Sequence, residues 1–217
     1  MSRISVVVSG FDPYEGVDAN PSLQVARRLA AEGVGTQDGL DVDVHEAILP
    51  VSFSETWPAL SEVISRTDPA IVVATGLKRS ARGIELERCA TNLMEYRHED
   101  DDAGGVRREP VRPGGPAAYW TRLPLRAILR DFSHDDIPAT LSSDAGTWVC
   151  NSLFYRLLDW AHSRGRALAG FVSLPPVPDD PSSSCGLAVD RQTDALRDVV
   201  GMTVRHWRGA GDDVLVS

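Results

Sequence analysis

The chain predicts an α/β fold, a three-layer α/β/α sandwich with a mainly parallel sheet and a β excursion at residues 81–116. Three observations predict it. Short runs of small and β-branched apolar residues recur at residues 4–9, 42–49, 70–75, 139–142 and 168–174, the composition of strands covered on both faces. Segments with apolar residues at helical spacing lie between most of them, and strand–helix alternation implies crossovers that set parallel strands side by side under two helical layers. No internal repeat and no linker breaks the chain, so residues 1–217 are expected to form a single domain with a sizeable core.

The elements follow in order. After the first strand, Asn20 is placed to cap a helix whose first residue is Pro21 and whose apolar face is Val25, Ala26, Leu29 and Ala30. Residues 54–66 read as a second helix. Residues 81–116 break the rhythm with charged segments, glycine pairs at Gly104, Gly105, Gly114 and Gly115, and prolines at Pro110 and Pro113, which fits an excursion over the sheet edge better than another strand–helix unit. Helices are expected at residues 118–131 and 151–163, the latter with Leu153, Phe154, Leu157, Leu158 and Ala161 on one face. A terminal helix is expected at residues 187–207. Ligands of open α/β sheets gather beyond the carboxyl ends of strands, which points to the loops after Ser9, Thr75, Ser142 and Val172.

Composition narrows the function classes. A formal net charge of -9 with no dense basic cluster argues against a nucleic-acid partner, and the acidic run at residues 99–102 reads as solvated loop. No stretch approaches the roughly 20 apolar residues of a membrane span, and the first residues read as a strand rather than a cleavable signal. A cytoplasmic protein is expected. Cys89, Cys150 and Cys185 are three in number, without CxxC or Cys/His spacing, so neither a disulfide framework nor a zinc site is indicated.

Cys150 stands in Ala145-Gly146-Thr147-Trp148-Val149-Cys150-Asn151, where a glycine-bearing stretch gives way to a helical pattern. A helix's first turn offers free N–H groups and a positive dipole end, which stabilise a thiolate and hold the oxyanion formed when it attacks a carbonyl. A buried structural cysteine is the alternative. The words around the loops bear on the choice. They are Gly10-Phe11-Asp12-Pro13-Tyr14, Asn20-Pro21-Ser22, Leu49-Pro50-Val51, Glu87-Arg88 with Asn92, Gly114-Gly115-Pro116-Ala117-Ala118-Tyr119-Trp120, Leu123-Pro124, Ile137-Pro138-Ala139 and the Cys150 segment. In this order, across nearly the whole chain, they resemble the pyroglutamyl peptidase (pyrrolidone-carboxylate peptidase) family of cysteine peptidases.

The resemblance implies a cofactor-free enzyme that removes an N-terminal pyroglutamyl residue through a Cys-His-Glu triad, with a small molecule or a short peptide as its partner and a homo-oligomer left open. It puts the nucleophile at Cys150 and the acidic member at Glu87. The family's histidine falls in Gly170-Phe171-Val172-Ser173-Leu174-Pro175, at Ser173. Without an imidazole, a thiol near its ordinary pKa of about 8.5 is only a few per cent ionised at pH 7, and the leaving amine lacks its proton donor. With Glu87 facing inward and no cation between the two, the thiol pKa would rise further. Ordinary pyroglutamyl peptidase activity is therefore expected to be weak. His98 falls where the family has an apolar pocket residue, and reads either as a relocated base or as a solvated histidine beside the acidic run. His45, His134, His162 and His206 read as peripheral.

The implied substrate pocket comprises Phe11, Tyr14, Leu77, Arg97, Trp148 and Val149. Leu77 falls where the family has a glutamine that pairs the lactam, so the pocket is expected to prefer a small, flat or cyclic group more apolar than pyroglutamate. Alternatively Leu77 packs into the core. The leading reading is a divergent family member that uses Cys150 as a nucleophile for acyl transfer or for hydrolysis of a small amide, ester or lactam. The alternative readings are a catalytically inactive binding or regulatory homologue, and an engineered trap variant of a working peptidase.

Overall fold

In β1 (Arg3–Phe11) three consecutive valines alternate between the two sides of a sheet: Val6 and Val8 join one hydrophobic core and Val7 the other. The computed structural model describes residues 2–97, 106–178 and 186–212. Along the chain, α1 (Pro21–Glu32), β2 (Thr36–Gln37), β3 (Leu40–Leu49), α2 (Thr56–Thr67) and β4 (Ile71–Leu77) follow β1. Next come β5 (Ile84–Glu87), β6 (Cys89–Thr91), β7 (Met94–Arg97), β8 (Val106–Glu109), β9 (Ala118–Trp120), α3 (Leu125–His134), β10 (Ala139–Ser142), α4 (Val149–Ser163), β11 (Leu168–Leu174) and α5 (Val189–Asp212).

Seven strands make the central sheet in the order β10-β5-β11-β4-β1-β3-β2. The β1/β3, β1/β4, β4/β11 and β5/β10 pairs are parallel, while β5/β11 and β2/β3 are antiparallel. Apolar residues of α1, α3 and α5 pack on one face, and those of α2 and α4 on the other. The three-layer sandwich with a mainly parallel sheet is thus observed.

Two features position the functional end of the sheet. Asn20 caps α1 as its sequence suggests, its Oδ1 accepting from the Ser22 amide at 3.1 Å, with Pro21 in the first turn. A Cβ on Gly10 would stand 2.1 Å from the Ser22 carbonyl oxygen, so this glycine lets α1 lie directly on the end of β1. The Phe11 amide then donates to Ser22 Oγ at 3.0 Å.

Three expectations need correction. Residues 81–116 are not wholly an excursion: β5 lies inside the main sheet between β10 and β11, with Ile84 and Leu86 fully buried on the α3 face. Its other face carries Glu85 and Glu87, and this charge hid the strand in the sequence. The true excursion consists of two two-stranded ribbons, β6/β9 and β7/β8. No helix spans 118–131; β9 pairs there with β6, and α3 begins only after Pro124. Proline has no N–H to donate and restrains the residue before it to extended backbone, so a helix cannot run through it. Tyr119 fixes the extended segment, donating to Asp159 Oδ1 at 2.6 Å and packing 5.0 Å from the Tyr155 ring. Finally, the last helix starts two residues later than expected and extends to Asp212.

Candidate active site

Strand alternation gathers the polar residues of the site on the face that carries α4. Val72 and Ala74 of β4, and Ala169 and Phe171 of β11, pack in the α4 core, so Gly76 and Ser173, two residues further along each strand, share that face. Gly76 and Ser173 are register partners. Because Ile84 and Leu86 face the other way, Glu85 and Glu87 are presented to the same side. Cys150, in the first turn of α4, brings its sulfur over Gly76: a Cβ there would lie 3.0 Å from Sγ and 2.9 Å from the Phe171 ring. The glycine leaves room for the sulfur.

The loop that delivers Cys150 is pinned at several points. The Gly146 amide donates to Asp144 Oδ1 at 2.9 Å, and Gly146 itself has φ 76, where a side chain would be strained. Thr147 Oγ1 donates to Glu95 Oε2 at 2.7 Å, and the Glu95 amide to the Thr147 carbonyl at 2.8 Å. Behind Cys150, the buried Asn151 side chain accepts from the Thr91 amide at 3.0 Å and donates to the Thr91 and Leu93 carbonyls at 2.9 and 2.8 Å. These bonds hold the excursion against the start of α4. Neither Asn151 in this role nor its partners were legible in the sequence.

Glu87 is fully buried. Ser173 Oγ donates to its Oε1 at 2.7 Å, while Oε2 has no hydrogen-bond partner among the described residues. A residue missed in the sequence stands beside it. Lys78, just past the end of β4, puts Nζ 3.5 Å from Glu87 Oε1 and 2.7 Å from Glu85 Oε2, and donates to the Asp144 carbonyl at 2.8 Å. Glu87 thus has a cation beside it that the sequence reading did not include, although its charge still raises the Cys150 thiol. The available signal was the spacing, since Lys78 continues the Gly76 face and Glu85 and Glu87 repeat with period two. Burial pulls the Lys78 ammonium down, but its hydrogen bond to Glu85 and the charges of Glu87, Glu85 and Asp144 outweigh this and raise it from 10.5.

The thiol pKa rises, as expected of a cysteine without its imidazole facing an inward Glu87, and the helix N-terminus does not offset the rise. Cys150 is half-buried, and its thiol is pushed from 9.0 up to about 12, first by burial and then by the Glu87 charge, with its own backbone amide pulling the other way. The opening it faces is apolar, which explains the direction. That opening is a pocket of about 60 Å³ lined by Cys150, Phe11, Tyr14, Leu77, Trp148 and Val149, with Asn20 and Val51 completing the wall. Tyr14 and Trp148 meet edge to face, 6.2 Å between centroids. Leu77 lines this pocket rather than sitting in either core, which settles the choice left open for it.

Most of the residues singled out in the sequence thus converge. Phe11, Tyr14, Leu77, Trp148, Val149 and Cys150 share one pocket, and Glu87 and Ser173 are hydrogen-bonded beside it. Arg97 ends β7, its side chain lying outside the described residues, as do His98, the acidic run and Cys185. His45 lies 3.1 Å from Asp43 on β3, and His134 and His162 close α3 and α4. Among the described residues no group of three or more His, Cys, Asp and Glu side chains could hold a metal ion, and no helix is long and apolar enough to cross a membrane.

A family model described as pyroglutamyl peptidase matches residues 4–203. The chain belongs to the pyroglutamyl peptidase family. It is 36% identical over 199 residues to a pyrrolidone-carboxylate peptidase of Bacillus amyloliquefaciens, covering 88% of each chain. It is also 36% identical over 173 residues to one from Deinococcus radiodurans, covering 79% of this chain and 78% of that one. Among solved structures, pyroglutamyl peptidase I of Bacillus amyloliquefaciens superposes with a TM-score of 0.83 at 32% identity, over 94% of this chain and 98% of the other. A mutant pyrrolidone carboxyl peptidase from Pyrococcus furiosus gives 0.83 at 26% identity, over 94% and 99%. The fold is that of the pyroglutamyl peptidases.

Proposed function

We propose that this member of the pyroglutamyl peptidase family is a cysteine-nucleophile hydrolase or acyl transferase acting on a small amide, ester or lactam whose acyl group is flat or cyclic and more apolar than pyroglutamate. The observation that carries the reading is Cys150 on the wall of an apolar pocket at the first turn of α4. Its sulfur attacks the acyl carbon, and first-turn N–H groups hold the tetrahedral oxyanion. The thiol proton leaves with the departing group, and water or another acceptor then cleaves the thioester and restores the thiol. Ordinary pyroglutamyl peptidase activity is weak in this reading: Ser173 stands where the family has an imidazole, and Leu77 gives the lactam no polar partner. An activated ester or thioester tolerates the missing acid better than a peptide, because its leaving group needs less protonation. His98, read from the sequence either as a relocated base or as a solvated histidine, lies outside the described residues and carries no step here.

The test incubates the protein with activated acyl donors and follows a mass increase on Cys150, beside a fluorogenic pyroglutamyl assay. Turnover undiminished in Cys150→Ala would sink the reading. Recovery of pyroglutamyl hydrolysis in Ser173→His would show that only the base had been lost. A second reading, a non-catalytic binding homologue, is favoured by the thiol pushed up to about 12. Failure of every donor to acylate Cys150, together with retained binding of the corresponding acids, would establish it.

A further inference from the structure

Trp148 is shared by two openings of very different size. One side closes the pocket of about 60 Å³ that holds Cys150. The other forms the wall of an open groove of about 650 Å³, together with Phe53, Tyr96, Val106, Glu95 and Thr147. The smaller pocket is well below the roughly 300–1,000 Å³ of ordinary small-molecule sites, so it accommodates only the head of a substrate. Trp148 is the lining residue common to both openings, so a substrate longer than the pocket has the groove next to it. Groove chemistry indicates what the rest of such a substrate is. Phe53 and Tyr96 present tilted rings 5.7 Å apart, and Trp148 and Val106, 49% and 51% exposed, line the same opening; apolar groups exposed together rather than singly mark a binding surface. Among the described lining residues the carboxylate is Glu95, which accepts from Thr147 and is paired with Arg108, and the Tyr96 hydroxyl is hydrogen-bonded to Glu109 just behind the lining. The described lining therefore offers aromatic faces, with its carboxylate already paired.

We propose that this groove is the leaving-group subsite: it binds an uncharged aromatic group on the far side of the scissile bond, and with the small pocket it selects esters, thioesters or amides that join a small apolar acyl head to a large aromatic partner. The inference rests on the Cys150 acyl-transfer reading. In the step, the bond from Sγ to the acyl carbon forms, the bond from that carbon to the aromatic leaving group breaks, and the thiol proton ends on the leaving atom. Water then hydrolyses the thioester, returning the proton to sulfur and releasing the small acid. Stacking on Phe53, Tyr96 and Trp148 raises affinity for the leaving group without touching the acyl head.

The experiment uses the full chain and two esters of cyclopentanecarboxylic acid, one of 2-naphthol and one of a small fluorinated alcohol matched to it in acidity. Equal leaving-group acidity removes intrinsic reactivity from the comparison. The expected result is a kcat/KM about tenfold higher for the naphthyl ester, falling about threefold or more toward parity in Phe53→Ala and Tyr96→Ala, in line with the strength of single aromatic contacts. Because the ratio is read within each variant, loss of folded protein or of thiol reactivity cancels. Equal values for the two esters, or a preference untouched by both substitutions, overturns the subsite. If neither ester acylates Cys150, the acyl-transfer reading fails, and the groove is tested separately by titrating 2-naphthol against tryptophan fluorescence. Saturable quenching lost in Tyr96→Ala and in Trp148→Phe supports the groove as a binding site, and absence of quenching overturns it.

Discussion

Cys150 should be among the slowest thiols of this protein to alkylate, and Glu87→Gln should speed it. The thiol is pushed from 9.0 to about 12, which lowers the thiolate fraction at pH 7 about a thousandfold. A more basic thiolate is a better nucleophile, and a Brønsted slope of about 0.4–0.5 returns roughly 15- to 30-fold. The net expectation is alkylation about 30- to 60-fold slower than an unperturbed thiol, with a rate that climbs about tenfold per pH unit and no plateau before pH 10. Glu87→Gln removes the second cause of the shift. A unit charge several Å away at an effective dielectric near 20 is worth about 2–3 kcal/mol, and Lys78, 3.5 Å from the same carboxylate, offsets more than half of it; the remaining ~1 kcal/mol is about fivefold in thiolate fraction, and the same Brønsted compensation leaves a gain of about two- to threefold in rate. Iodoacetamide labelling from pH 7 to 10, read by peptide mass spectrometry with Cys89 as internal comparison, makes the measurement. A plateau near pH 8, or no acceleration in Glu87→Gln, would refute the argument that burial and a facing carboxylate govern this sulfur.

Stability should decline on the alkaline side. Both the Cys150 thiol and the Lys78 ammonium hold their protons more tightly folded than unfolded, so the native state binds more protons above about pH 9 and the contribution present below that pH is lost as each group titrates at its raised value; urea midpoints from pH 7 to 11 check this. Lys78→Met strands Glu87 without its cation. Removing one member of a buried pair costs about 3–5 kcal/mol, and since the Lys78 side chain is 27% exposed, about 1–3 kcal/mol is expected by urea unfolding, with at least half recovered on adding Glu87→Gln. Asn151→Ala strips partners from the Thr91 amide and the Thr91 and Leu93 carbonyls and should cost about 2–4 kcal/mol in the same assay. Gly10→Ala places a Cβ 2.1 Å from a backbone oxygen of α1; overpacking of about 3 kcal/mol corresponds to a Tm lower by about 10 °C.

The family itself was legible because its signature lies in short words at strand ends, each tied to a local backbone need: a capped helix start at Asn20, a glycine beneath α1, a turn before Cys150. The pocket was legible for a related reason, as strands that all end at one edge of a parallel sheet must bring their following loops together. Other features escaped. β5 was missed since two of its four residues are carboxylates, and only pairing to β11 and β10 buries their strand. The helix assigned to residues 118–131 failed at Pro124, a local rule outweighed in the reading by the apolar spacing around it.

The amino-acid sequence by itself determined the sandwich, its helical layers and the cysteine at a helix start, because hydrophobic period, capping residues and glycine positions act over a few residues and do not depend on distant partners. Only the tertiary structure decided the state of that cysteine. Its environment is assembled from β4, β5, β11, α4 and the loop after β10, segments up to about a hundred residues apart in the chain, and a pKa follows from burial and from the charges brought near in space. The lysine beside Glu87 and the groove across Trp148 have the same origin: no spacing along the chain encodes a distance across a sheet.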